Sequence, residues 1–218
     1  MLFLLTGDVQ IGKTRWLESL CASLQAAGTC VAGVVAPGQW VPRPEGQPGG
    51  KHGFDGAGRF EKLGIDNVLL PQGERIEFAR RRDLAAKGKA FAEGTQAKAA
   101  KLGWAISDTA IAQVNSHFAA LAKQAANETR LAPHAVLVVD ELGRLELLRG
   151  CGLTNALAIL DAGPTPQFPH AIAVVRETLL DEARRRFKLL WGEPIAISPG
   201  NASRELVLET VKITGNTR

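Results

Sequence analysis

The chain has 218 residues, of which 45% are hydrophobic, and it carries a formal net charge of +4. That length suits one α/β domain with insertions, and no apolar run approaches the roughly 18 residues that a membrane-spanning helix needs. The charge is modest for a nucleic-acid binder and the chain has no Tyr to stack on bases, so we expect a globular cytoplasmic protein with neither a membrane nor a nucleic acid as partner.

The first predicted element is a short apolar strand, Leu2–Leu5, which leads directly into a phosphate-binding loop. Residues 7–14 read G-D-V-Q-I-G-K-T and match the pattern G-x-x-x-x-G-K-[ST], and residues 15–27 have the apolar periodicity of a helix. Backbone N–H groups of the loop and the helix N-terminus then surround the β-phosphate. Lys13 reaches the β- and γ-phosphate oxygens, and the Thr14 hydroxyl binds Mg²⁺. The pattern therefore predicts that the chain binds a nucleoside triphosphate with Mg²⁺.

Within this loop, glycine at positions 7 and 12 allows close backbone approach and positive φ. Asp8 brings a negative charge into a phosphate cradle, so its side chain must point outward. The residues predicted to contact the nucleotide in this part of the chain are Gly7, Asp8, Val9, Gln10, Ile11, Gly12, Lys13, Thr14 and Arg15.

The middle of the chain gives mixed signals. After a β-branched strand at residues 30–35, the segment 36–60 is dense in Gly and Pro and resists regular structure. We interpret it either as a mobile lid or substrate loop or as a disordered insertion. Further on, residues 68–70 predict a short strand, 78–92 a basic helix, and Trp104–Ile106 another short strand.

The second half of the chain alternates strands with helices. This alternation predicts one domain over residues 1–218, with a three-layer α/β architecture, a mostly parallel central sheet and right-handed crossovers. The predicted strands are 135–139, 172–175 and Ile195–Ile197, and the predicted helices are about 107–127, 153–160, 178–190 and 203–211.

The most apolar strand, residues 135–139, ends in Asp140 and resembles a Walker B strand. A carboxylate at the C-terminal end of a buried strand beside a phosphate loop can hold Mg²⁺, usually through a water. Glu141 follows, where it can orient or deprotonate a water that attacks the γ-phosphorus, an arrangement that suits hydrolysis better than transfer. Glu146 is a candidate second base or outer metal ligand. Arg144 either neutralises γ-phosphate charge, as an arginine finger does, or is a surface arginine.

Other reactive and charged residues carry weaker signals. The three cysteines and four histidines are scattered without metal-binding spacing, so neither a disulfide nor a metal site is predicted from them. Lysine and arginine crowd residues 75–101 and 184–188, which are either solvated faces or surfaces that attract phosphates.

Three segments together give the chain a resemblance to a known family: the loop at 7–14, the run D-E-L-G-R-L-E at 140–146, and N-A-S-R-E at 201–205. In these segments the chain resembles the thermophile-type P-loop nucleoside-triphosphatases, which carry a D-E-I-G-K-M-E run and a late N-R-[DE]-x-L segment. The resemblance implies a RecA-like fold and slow, Mg²⁺-dependent hydrolysis of ATP, GTP and other nucleoside triphosphates. It leaves Asn201 either near the base or as a helix cap.

Three functions remain open on the sequence. The first is a nucleoside-triphosphatase, the second is a small-molecule or nucleotide kinase with an acceptor lid at 36–60, and the third is a nucleotide-dependent switch that hydrolyses very slowly and reports to an unidentified protein partner. The triphosphatase is favoured because a water-activating Glu141 would waste ATP in a kinase. In this hypothesis the catalytic residues are Lys13, Glu141 and Arg144, and the metal-binding residues are Thr14 and Asp140.

Overall fold

The computed structural model describes residues 1–43, 59–85, 94–96, 104–127 and 134–215. Within these ranges the strands are β1 (Leu2–Leu5), β2 (Val31–Val35), β3 (Gly38–Pro42), β4 (Phe60–Leu70), β5 (Glu74–Arg81), β6 (Trp104–Ile106), β7 (Val136–Leu142), β8 (His170–Val175) and β9 (Ile195–Ile197). The helices are α1 (Lys13–Ala26), α2 (Arg82–Ala85), α3 (Asp108–Asn127), α4 (Arg144–Arg149), α5 (Thr154–Asp161), α6 (Leu180–Trp191) and α7 (Asn201–Gly215), with a 3₁₀ turn (Glu177–Leu179) before α6.

All the described strands belong to one sheet, in the order β6-β5-β4-β2-β7-β8-β1-β9, with β3 paired to β4. The five strands from β2 to β9 in this order are parallel to one another. Strand β8 separates β1, which leads into the phosphate loop, from β7, which carries Asp140. One strand between these two is the RecA-like arrangement, so the predicted mostly parallel α/β sheet and its strand order are confirmed.

Helices cover both faces of the parallel strands, because their residues are apolar on both sides. One face packs against α1 and α7 through residues such as Phe3, Leu20 and Val207. The other packs against α3, α5 and α6 through residues such as Phe118 and Phe187. The predicted three-layer architecture is therefore correct. In the described ranges, no helix has both the length and the apolar character needed to cross a bilayer.

Strands β3 to β6 form an antiparallel extension of the sheet. The predicted strands at Trp104–Ile106 and 68–70 are confirmed as β6 and the end of β4, whereas β3, β5 and the rest of β4 were not predicted. The predicted helix at 78–92 is wrong at its start, because Phe78 lies in β5 and the helix α2 begins at Arg82. Residues 86–92 lie outside the described ranges, so that part of the helix stays a prediction. In β5 the apolar Ile76 and Phe78 alternate with charged neighbours, which is strand periodicity. Within the Gly/Pro-rich segment, Gly38–Pro42 is strand β3. Residues 44–58 lie outside the described ranges, so the lid stays a prediction.

Several arginines of the two basic segments are held by carboxylates of the same fold. Arg75 contacts Asp66 at 2.8 Å, and Arg186 bonds both oxygens of Asp161 at 2.9 and 2.6 Å. Because these cations already have partners, their contacts favour the interpretation of a solvated face over that of a polyanion-binding surface.

Candidate active site

The phosphate loop joins β1 to α1 at the carboxyl edge of the sheet. Gly7 and Gly12 have φ values of 127° and 92°, which confirms the expected need for glycine at both positions. The Lys13 ammonium donates to the carbonyl oxygens of Gly7 and Asp8, each at 2.7 Å. Partial burial lowers the pKa of Lys13. The nearby carboxylates oppose this shift, and Glu141 has the largest opposing effect among them. Lys13 thus lies across the loop, where a phosphate would offer it oxygen atoms in place of these carbonyls.

The other loop side chains face solvent. Asp8, Val9, Gln10 and Ile11 are all exposed, so the Asp8 carboxylate is directed outward as its charge requires. Arg15 is also exposed, and its guanidinium stacks over the Trp40 ring of β3 at 5.6 Å from the ring centroid. The predicted nucleotide contacts in this segment therefore rest on backbone N–H groups together with Lys13 and Thr14.

Asp140 is buried beside the loop, with 3% of its surface exposed. Its Oδ2 accepts a 3.0 Å hydrogen bond from the backbone N–H of Ala36, just after β2, and its carboxylate also hydrogen-bonds the Thr14 side chain. Burial raises the pKa of Asp140 to about 6. A hydroxyl and a buried carboxylate in contact offer the hard oxygen ligands that Mg²⁺ prefers, and the cation would relieve the cost of burying the charge. The donor set fits Mg²⁺.

Because of this burial, replacing Asp140 with Asn should stabilise the metal-free protein at pH 7.5, by up to about 3 kcal/mol. The folded pKa lies above the usual value of 3.8, so the folded state holds its proton more tightly and the wild type loses stability as the pH rises from about 4 to about 6. Urea denaturation in EDTA should show the two proteins converging below about pH 4. A less stable Asn variant at pH 7.5 would mean that the carboxylate's hydrogen bonds outweigh its burial.

Glu141 projects from the same strand in a different direction. The β7–β8 register shifts between Val139 and Leu142, and such an irregularity re-aims side chains near functional sites. The Asp140–Glu141 peptide bond is cis. Glu141 Oε1 accepts a 2.7 Å bond from Arg176 Nε, and both side chains reach solvent. Glu141 is therefore a water-accessible carboxylate next to the buried one.

Two residues near the carboxylates were not singled out from the sequence. Arg176 directly follows β8, the strand between β1 and β7, so the strand order brings it to the same edge of the sheet. Lys62 lies in the antiparallel extension. Burial lowers the pKa of Lys62, the negative charges of Asp140 and Glu141 raise it, and the positive charge of Arg176 lowers it. Arg176 could have been identified from the sequence, because it is a charged residue directly after a predicted buried strand. Lys62 offers no such signal because its placement depends on the missed strands.

Arg144 and Glu146 have different surroundings. Arg144 is exposed at the start of α4, and its role as an arginine finger stays a prediction. Glu146 is buried and accepts backbone bonds from Gly143 at 2.8 Å and Leu153 at 2.9 Å. These bonds satisfy N–H groups at the beginning of two helices. Glu146 therefore stabilises the backbone that follows β7. These contacts favour a structural role, and a role as second base or outer metal ligand stays a prediction.

Asn201 begins α7 on the other side of the loop. Its neighbour Gly200 accepts a 3.1 Å bond from the Trp16 indole of α1, and the Arg204 guanidinium lies 5.8 Å from the Trp16 ring centroid. The turn before α7 is thus anchored to the helix that begins in the phosphate loop. Asn201 is exposed beside this anchor, and its contact with a base stays a prediction.

Comparisons with known proteins identify the fold. No protein-family model matches the chain, and no curated protein sequence matches it. Two solved structures are similar over nearly the whole length of both chains. THEP1 from the hyperthermophile Aquifex aeolicus is 14% identical with a TM-score of 0.58, covering 97% of this chain and 96% of its own. A human cancer-related nucleoside triphosphatase is 17% identical with a TM-score of 0.54, covering 100% and 98%.

These similarities agree with the strand order and with the position of the phosphate loop. At such identities they bear on the fold alone. The chain has the α/β fold of P-loop NTPases, with RecA-like strand order and an antiparallel extension at one edge of its sheet.

Proposed function

We propose that this protein is a Mg²⁺-dependent nucleoside-triphosphatase that hydrolyses ATP, GTP and other nucleoside triphosphates to diphosphate and phosphate. The observation that carries the proposal is the grouping of a phosphate loop, a buried carboxylate and an exposed carboxylate at one edge of the sheet. Asp140 contacts Thr14, while Glu141 stands beside it with access to water. A triphosphate held by the loop would point its γ-phosphate toward these two acids.

Asp140 and Glu141 have different roles in the proposed reaction because one is buried and the other is exposed to water. Mg²⁺, when bound by Thr14 and Asp140, would neutralise charge on the β- and γ-phosphates. Glu141 orients a water and accepts its proton as the new bond to the γ-phosphorus forms. The bond from that phosphorus to the β,γ-bridging oxygen breaks, and its electron pair leaves with the diphosphate. Arg176 fixes the direction of the Glu141 carboxylate through Oε1, which leaves Oε2 for the water.

The ion pair between Arg176 and Glu141 is exposed to solvent, so it can orient Glu141 without holding it permanently in one position. An ion pair at the surface is worth about 0 to 1 kcal/mol, and the Arg176 and Glu141 side chains are 57% and 36% exposed. Such a pair can rearrange when a nucleotide brings its own negative charge. The structurally similar human protein is a nucleoside triphosphatase, which supports the same reaction class for this chain.

Phosphate release from ATP, GTP, CTP and UTP, with and without Mg²⁺, tests the proposal. We expect release from the triphosphates only with Mg²⁺ and without any acceptor. Lys13→Ala should weaken triphosphate binding about 10-fold to 100-fold, because it removes charge-assisted hydrogen bonds to phosphate oxygens. Lys212→Ala, on the exposed side of α7, is the matched control and should bind and hydrolyse like the wild type.

Two outcomes would contradict the proposal. Tight binding of triphosphate with no release of phosphate above background would indicate a switch or accessory protein instead. Formation of nucleoside diphosphate and a phosphorylated acceptor, without release of phosphate, would make the protein a kinase.

A further inference from the structure

The antiparallel extension holds a lysine between two tryptophans next to the candidate active site. Trp40 of β3 and Lys62 of β4 are paired across the two strands, and the Lys62 ammonium lies 5.9 Å from the Trp40 ring centroid. The ammonium is also 5.6 Å from the centroid of Trp104, in β6. Indole faces attract a cation, so the two rings hold the lysine head group in one place.

Short structural links tie this lysine to the phosphate loop and to Asp140. The Trp40 ring that contacts Lys62 also stacks under the Arg15 guanidinium, directly after the loop. Ala36, whose N–H bonds to Asp140, lies two residues before Gly38. A Cβ built on Gly38 would come within 2.5 Å of Lys62 Cε and 2.6 Å of Trp40 Nε1. The chain from β2 into β3 therefore places Lys62 on the Asp140 side of the site.

The charge of Lys62 is only partly compensated. Burial lowers its pKa, whereas Asp140 and Glu141 raise it. Among the residues that the structure describes, no carboxylate forms an ion pair with it within 4 Å. A shielded ammonium with aromatic neighbours and no ion-pair partner is a site prepared for an anion. The anion that this fold brings to Asp140 and Glu141 is the terminal phosphate of a nucleotide.

We propose that Lys62 binds the γ-phosphate of a nucleoside triphosphate from the side of the antiparallel extension and stabilises the charge that develops there during hydrolysis. The stabilisation of charge during hydrolysis rests on the proposed function, whereas the binding of the γ-phosphate does not, since binding does not require turnover. Negative charge spreads over the γ-phosphoryl oxygens in the transition state, and a fixed cation supplied by the same chain lowers its energy. A diphosphate lacks this group, so Lys62 distinguishes triphosphate from diphosphate.

Replacing Lys62 with Gln tests the inference through binding and turnover separately. We expect affinity for a non-hydrolysable ATP analogue with Mg²⁺ to fall about 10-fold, and turnover about 10- to 100-fold, from the loss of one charge-assisted contact. Affinity for ADP should stay unchanged. Lys212→Gln is the matched control for loss of charge. In the wild type, the triphosphate analogue should change the tryptophan fluorescence more than ADP does, and Trp104→Phe should reduce this difference.

Gly38→Ala provides a second variant that leaves Lys62 in the sequence. Its Cβ would press on the ends of the Lys62 and Trp40 side chains rather than on backbone, so the fold should tolerate it while the ammonium moves. We expect it to reproduce part of the Lys62→Gln loss, again for the triphosphate and not for ADP. Equal losses for both nucleotides, or no loss for either, would overturn the inference. A triphosphate-specific loss of binding in a protein without hydrolysis would uphold the binding of the γ-phosphate by Lys62, and it would overturn the proposed function together with the role of Lys62 in turnover.

Discussion

Replacing Glu141 with Gln should lower the turnover number for phosphate release about 10²- to 10⁴-fold, the range observed when a general base is removed. Gln keeps the size of the side chain and an oxygen that can accept from Arg176, but the amide cannot take a proton from water. Asp140 and Thr14 are unaltered, so Mg²⁺-dependent binding of ATP should remain close to that of the wild type. The expected result is a protein that binds triphosphate and hydrolyses it very slowly.

Single-turnover phosphate release and equilibrium binding of the same nucleotide separate these two effects. Glu205→Gln is the matched control, because Glu205 is exposed on α7 and no step assigned here uses it. If Glu141→Gln hydrolyses ATP at the wild-type rate, the water is activated by another group and Glu141 only shapes the site. If it loses nucleotide affinity as strongly as turnover, the carboxylate contributes to binding rather than to proton transfer.

The parallel half of the fold could be predicted because its signals are local. Each strand is a short apolar run, and the phosphate loop occupies a fixed position between β1 and α1. The Walker B strand can be recognised from four apolar residues followed by Asp140, taken together with the phosphate loop at 7–14. The RecA-like order is what the family resemblance implies, and the structure confirms it.

Most of the antiparallel half could not be predicted, because its strands are stabilised by partners that are distant in sequence. Strand β5 reads as polar and basic, yet its pairing with β4 and packing against α3 select the extended form. The missed strand segments bring Trp40 and Lys62 to the site, where Lys62 also lies beside Trp104 of the predicted strand β6. Glu146 shows the opposite difficulty: its sequence position suggests chemistry, whereas its backbone bonds reveal a structural role. The roles of Lys62 and Glu146 both depend on the direction of their side chains, and that direction is set by the fold.

Replacing Gly33 with Ala should destabilise the protein by about 4 kcal/mol or more, in the range that marks exceptional substitutions. Gly33 lies in the middle of β2 at a φ of 123°, and a Cβ there would be 2.0 Å from the carbonyl oxygen of Val138. The neighbouring backbone cannot yield, since β2 pairs with β7 on one side and β4 on the other. In addition, His117 Nε2 lies 3.0 Å from the Gly33 oxygen. Separation of β2 from β7 would also pull Ala36 away from Asp140.

Gly28→Ala separates the steric clash from the strain of a positive φ. Gly28 has a φ of 83° and no atom within 4 Å of a built Cβ, so its replacement should cost only about 1 to 2 kcal/mol. Urea denaturation followed by circular dichroism compares the two variants with the wild type. We expect Gly28→Ala to unfold at a slightly lower urea concentration and Gly33→Ala to be unfolded or insoluble without denaturant. Similar midpoints for the two variants would show that β2 and β7 can move apart, in which case Asp140 is held less rigidly than its contacts with Ala36 and Thr14 imply.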